Sequence, residues 1–106
     1  MSAAPERLGD LARVVRSKNA GALLFTLDVM FADEATYLRV RDSGALDASR
    51  IATLYGVSDN AVDVIPYDVA WAIKVTIPRP VPSGDPADSD VYGAQQHAPL
   101  LDIEIP

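Results

Sequence analysis

Apolar residues near the start of the chain recur at helical spacing. Leu8, Leu11, Ala12 and Val15 fall at i, i+3, i+4 and i+7, which is one stripe of a helix. The spacing predicts a helix over 5–18, with Pro5 suited to its first turn. Arg13 and Arg16 lie off the stripe, and Lys18 sits near the C-terminal end, where the helix dipole favours a cation. Asn19, Ala20 and Gly21 read as a helix stop.

The period then changes to two. Over 22–31, Leu23, Phe25, Leu27, Val29 and Phe31 point one way, and Leu24, Thr26, Asp28 and Met30 the other. This predicts a strand with one apolar face and one mixed face, with Asp28 an unusual residue for its middle. Asp33 can cap a helix running to about Asp42 and ended by Ser43 and Gly44. Asp47 can cap a second over 48–55, ended by Gly56, with Ile51, Leu54 and Tyr55 as its buried stripe. Two strands follow at 62–67 and 69–77, joined by a tight turn at Tyr67 and Asp68, with Pro66 implying an edge or a bulge. Trp71, Ile73, Val75 and Ile77 alternate with Ala72, Lys74 and Thr76, which predicts a core Trp71. Residues 100–105 alternate again, with Leu101, Ile103 and Ile105 opposite Asp102 and Glu104.

The implied fold is α+β: a small, mainly antiparallel sheet of about four strands with helices on one face. The apolar face carries Leu23, Phe25, Leu27, Val29, Trp71, Ile73, Val75, Ile77, Leu101, Ile103 and Ile105. The open face carries Thr26, Asp28, Lys74, Thr76, Asp102 and Glu104, and is expected to meet water, another subunit or a ligand. Between the last two strands lies an irregular connection over 78–99. Pro78, Pro80, Pro82 and Pro86 exclude helix and central strand from its first part. Long connections with special residues, pinned by strands, are disproportionately functional.

Length and composition narrow the class. A chain of 106 residues is expected to be a single domain over 1–106. The formal net charge of −6 argues against nucleic acid or an anionic membrane as the main partner. The two consecutive helices resemble a helix-turn-helix in outline, but the second is not basic. Without cysteine there is no disulfide, iron–sulfur cluster or thiolate zinc site. No apolar run is long enough to span a membrane and the N-terminus lacks a signal-peptide core, so a cytoplasmic location is expected.

Three constellations carry candidate chemistry. Asp85, Asp88 and Asp90 could hold a divalent metal, although the EF-hand spacing fails at Pro99 and such aspartates also form turns and caps. No other cofactor is evident. Tyr92, Gln95, Gln96 and the sole histidine, His97, form a polar group bounded by Gly93 and Pro99. His97 and Tyr92 are the candidate catalytic residues, because a histidine transfers protons near neutral pH; a lone histidine is as readily structural or exposed. Arg16, Lys18, Asn19, Lys74 and Arg79 are candidate contacts to an anion or partner. No catalytic triad, Walker loop or dinucleotide fingerprint is present.

Four stretches carry a family resemblance. They are Arg16-Ser-Lys-Asn-Ala-Gly21, Leu54-Tyr-Gly-Val57, 72–80 (Ala-Ile-Lys-Val-Thr-Ile-Pro-Arg-Pro) and the long run from Ser83 to Leu101. Together they resemble the family catalogued as domain of unknown function 4387, over nearly the whole chain. That resemblance implies a small stand-alone protein or C-terminal domain accompanying AtuA-like acyclic terpene utilisation proteins. It implies metabolism of branched acids or their CoA esters, of hydratase or lyase type. Three functions follow as expectations: a small subunit of a two-component catabolic enzyme acting on a carboxylic acid or acyl-CoA with a larger AtuA-like partner, a non-catalytic assembly module, or an independent small-acid-binding protein. A homo-oligomer is compatible with each.

Overall fold

The computed structural model describes residues 5–21, 23–78 and 98–106. Its elements in chain order are β1 (Glu6–Arg7), α1 (Leu8–Leu11), β2 (Val14–Asn19), β3 (Leu24–Met30), α2 (Glu34–Ser43), α3 (Ala48–Tyr55), β4 (Asp63–Tyr67), β5 (Ala72–Pro78) and β6 (Glu104–Ile105). Short 3-10 turns lie at Asp59–Ala61, Asp68–Ala70 and Ala98–Asp102. The fold is α+β. Four strands form an antiparallel sheet in the order β2-β3-β5-β4, and β1 and β6 form a separate two-stranded sheet.

The expected helix over 5–18 is replaced by one helical turn, α1, and a strand, β2. The apolar stripe is genuine as far as Leu11, and Leu8 is fully buried. Beyond it, Val14 and Val15 are β-branched and favour a pleated surface. They also find partners there: Val14 lies opposite Met30 and Val15 opposite Val29. The Arg13 amide donates to the Met30 carbonyl at 2.8 Å. Pairing with β3 therefore overrides a weak helical preference. The presumed helix stop is a hairpin turn, with Gly21 at φ 96° and the Ala20 amide donating to the Leu24 carbonyl at 2.9 Å.

The central strands follow their alternation. Phe25, Leu27 and Val29 lie opposite Ile77, Val75 and Ile73, and all six are buried. Against this face pack Tyr37 and Val40 of α2, Ala45 and Leu46 of the connection, and Ile51 and Ala52 of α3. Leu54, expected on the buried stripe of α3, is exposed; Ala48, Ile51, Ala52 and Tyr55 face inward at the i, i+3, i+4, i+7 spacing. The helix ends are set locally. Asp33 accepts from the Thr36 amide at 2.8 Å and Asp47 from the Arg50 amide at 2.7 Å. Gly44 and Gly56 close the two helices in the left-handed conformation, at φ 73° and φ 70°.

Three expectations about the apolar face fail. Trp71 is not core: its relative exposure is 36%. The strand begins at Ala72 rather than residue 69, because the Asp68–Ala70 turn and a left-handed Trp71, at φ 49°, break the extended backbone before it. Leu23 precedes β3 and is exposed. The segment 100–105 also does not join the main sheet. Leu100 is buried from within a 3-10 turn, and only Glu104 and Ile105 are extended, paired with Arg7 and Glu6 of β1. Arg39 of α2 secures that corner. It donates to the Pro106 carbonyl at 3.0 Å and to the Ile105 carbonyl at 3.4 Å, and pairs with Glu6 at 3.0 Å.

Candidate functional site

The candidate site is the sheet face turned away from the helices. Register places its residues in cross-strand rows. Lys18, Thr26, Thr76 and Asp63 form one; Arg16, Asp28, Lys74 and Ile65 form the next; Val14, Met30, Ala72 and Tyr67 form the third. Arg16 and Asp28 are paired, Nε to Oδ2 at 3.6 Å, and Asp28 faces Lys74 on its other side. Three cations thus meet two carboxylates, one of them at the β4 edge, on a chain whose formal charge is −6. The face is locally the opposite sign to the molecule, which favours an anionic ligand or partner.

The site is not a plain solvated surface. Val14, Leu24, Ile65 and Tyr67 lie on it with relative exposures of 36%, 39%, 44% and 47%. Half-covered aliphatic and aromatic residues around charged ones are the composition of interfaces. In their midst Thr26 is 5% exposed, and its hydroxyl is buried with no hydrogen-bond partner among the described residues. A buried hydroxyl left unpaired is costly, and its neighbours across the strands are Lys18 and Thr76.

The strand assignment of 14–19 changes how the predicted basic residues relate. In a helix, Arg16 and Lys18 would project to nearly opposite sides; in β2 they share the open face. Asn19 alternates to the other side with Ser17, so it does not join them. The structure brings together Arg16, Lys18 and Lys74. Arg79, Asp85, Asp88, Asp90, Tyr92, Gln95, Gln96 and His97 lie outside the described residues. Asp102 and Glu104, expected on this face, are elsewhere: Asp102 accepts from Arg7 at 2.5 Å, and Glu104 pairs in β6. Among the described residues, no group of three or more acidic or histidine side chains is placed to hold a metal.

A family model described as a domain of unknown function (DUF4387) matches residues 8–104. The chain belongs to that family. The DUF4387 match runs from α1 into β6 and takes in all four strands that build the open face. No curated protein and no solved structure matches the chain. Among the described residues, no helix is long and apolar enough to cross a membrane.

A second polar cluster lies on the helix side. The Tyr37 hydroxyl donates to Asp68, and Arg41 donates to Asp68 at 3.1 Å and to Asp42 at 2.9 Å while lying over the Tyr37 ring. Burial and the Asp68 carboxylate push the Tyr37 hydroxyl up from its ordinary value. The Tyr37 and Arg41 donors hold Asp68 below the usual carboxylate range. A cleft of about 180 Å³ opens beside Arg41, walled by Leu46, Val64, Pro66 and Ile73. Its cation is already committed to two aspartates, so this cluster reads as a clasp joining α2 to the turn before β5.

Sequence reasoning missed the interface-like half of the open face. Val14 was assigned to a helix. Ile65 and Tyr67 lay in a predicted strand whose period gave no reason to set them beside Lys74 and Ala72. The available signal was strand parity: odd residues of β4 and even residues of β2, β3 and β5 share one face.

Proposed function

We propose that this chain is the small subunit of a two-component catabolic enzyme. It docks through the open face of its four-stranded sheet onto a larger AtuA-like protein, in the cytoplasm. The observation that carries the reading is the composition of that face: Val14, Leu24, Ile65 and Tyr67 stand half-exposed around the row Arg16, Asp28 and Lys74, and among them the Thr26 hydroxyl has no partner among the described residues. Apolar residues supply docking area, and the cations supply electrostatic attraction to an acid. The substrate class under this reading is a carboxylic acid or acyl-CoA, with Arg16, Lys18 and Lys74 as anion contacts and chemistry of the hydratase or lyase type. His97 and Tyr92 are the proposed proton-handling residues, and any divalent metal is assigned to Asp85, Asp88 and Asp90.

The test is co-expression with an AtuA-like protein from the same organism, followed by affinity capture and assay of acid or acyl-CoA hydration. Ile65→Glu sets a carboxylate opposite Lys74, so the isolated chain keeps its melting temperature while the apolar patch is broken. The expected result is loss of capture and activity with an unchanged melt. Capture that survives the substitution would refute docking through this face. Capture with no gain in activity over the large protein alone would favour the second reading, a stabilising module without catalytic residues, which the same apolar residues support.

A further inference from the structure

We propose that a cleft at the Trp71 end of the sheet binds an organic anion with a flat, apolar body. The cleft, half open to solvent, has a volume of about 320 Å³. Val14, Met30, Ala32 and Ala70 line it with apolar surface, Trp71 brings an indole, and Arg13 brings the single charge among its lining residues.

The backbone at Trp71 points to this use. It lies at φ 49°, ψ 48°, and no other non-glycine residue among those described has positive φ. A turn that needed only to reverse the chain would be met more easily by glycine. Strained conformations of bulky side chains cluster at binding sites, where surrounding structure holds them. Here the left-handed backbone takes Trp71 out of the alternation of β5, and Trp71 lines the cleft. The position is fixed from outside: the Phe31 amide donates to the Trp71 carbonyl at 2.9 Å.

The opposite wall is equally anchored, because the Arg13 amide donates to the Met30 carbonyl at 2.8 Å. Arg13 is exposed, and among the described residues no carboxylate lies within ion-pairing distance of it. A guanidinium offers a planar fork to a carboxylate, and an indole face accepts a flat apolar group. Alanine at 32 and 70 leaves the space between them open. A space of that size suits a ligand of about ten non-hydrogen atoms. The pocket shares Val14 and Met30 with the open face, yet all of it belongs to one chain, so this inference does not rest on the docking reading.

The chain contains a single tryptophan, so its emission reports on the site directly. The probe is phenylacetate, titrated into the isolated protein, with phenylacetamide as the neutral isostere. A saturable change in emission with phenylacetate is expected, at least about tenfold tighter than with the amide. Arg13→Gln should bring the acid down to the affinity of the amide without moving the melt, whereas Arg50→Gln on α3 should change nothing. Absence of saturation by about 10 mM phenylacetate would overturn the proposal, as would equal binding of acid and amide, or an Arg13→Gln protein that binds the acid as tightly as the parent. Because no partner is present, failure here leaves the two-component reading standing.

Discussion

Arg16 and Asp28 face each other across β2 and β3, Nε to Oδ2 at 3.6 Å, and Lys74 stands across from the same carboxylate on β5. One acid thus lies in register between two cations in the centre of an open sheet, ion-paired with Arg16. Such a row is weakly stabilising in itself. Its interest is that it fixes where positive charge is presented on an acidic protein.

Lys74→Glu would set two carboxylates opposite each other. Like charges facing across strands cost roughly 0.2–1 kcal/mol. A small fall in urea midpoint is expected, diminishing as salt is raised, with the antiparallel sheet retained by circular dichroism. Collapse of the fold would mean that Lys74 carries structural weight the ladder does not suggest.

Thr26→Val is expected to stabilise the isolated chain. It replaces a buried hydroxyl that has no partner among the described residues with a methyl of similar shape, removing a penalty of about 1 kcal/mol. Valine also suits a central strand. A chemical melt measures the gain. If the variant is less stable by a similar amount, the hydroxyl is satisfied in solution and does not mark a site.

At Trp71 the backbone and side chain can be separated. Glycine at φ 49° relieves the left-handed strain of about 1–2 kcal/mol, whereas alanine keeps the strain and loses the indole. Trp71→Gly should therefore melt higher than Trp71→Ala. Reversed order would show that the turn relaxes when the indole is removed. Neither variant should approach the loss expected for a fully buried tryptophan, because Trp71 is 36% exposed.

Acid should loosen the clasp between α2 and the turn before β5. Hydrogen bonds from Tyr37 and Arg41 hold the Asp68 carboxyl below its ordinary value of 3.8. A depressed carboxylate contributes stability above its unfolded value and loses it as pH falls through the folded one. Asp33, held down by the Thr36 amide, adds to the same trend. The urea midpoint should fall steeply below about pH 4, and Asp68→Asn should flatten that fall. An identical acid limb in the two proteins would remove Asp68 from the account.

The legible parts of the fold were those with local punctuation. Asp33 with Gly44 and Asp47 with Gly56 bracket the two long helices, and alternation alone specified β3 and β5. The parts that misled were decided by distant pairing. The stripe through Leu8, Leu11, Ala12 and Val15 fits a helix, yet Val15 is taken by Val29. Trp71 continues the period of Ile73 and Val75, but a left-handed turn intervenes. The site was read in part for the same reason. Arg16, Lys18 and Lys74 were identified as residues, while the surface they share exists only once β2 is a strand.

The pairing of Glu6 with Ile105 joins positions 99 residues apart. Closing a ring of that length carries a large entropic cost for very few ladder bonds. The β1–β6 corner and its Arg39 clasp are therefore expected to form late, after the β2–β3 and β4–β5 hairpins have closed and joined along β3 and β5. Contacts made that late leave the folding rate nearly untouched and act on the rate of unfolding. In kinetic terms, Arg39 is expected to act as a latch, contributing less to how fast the chain folds than to how long it stays folded.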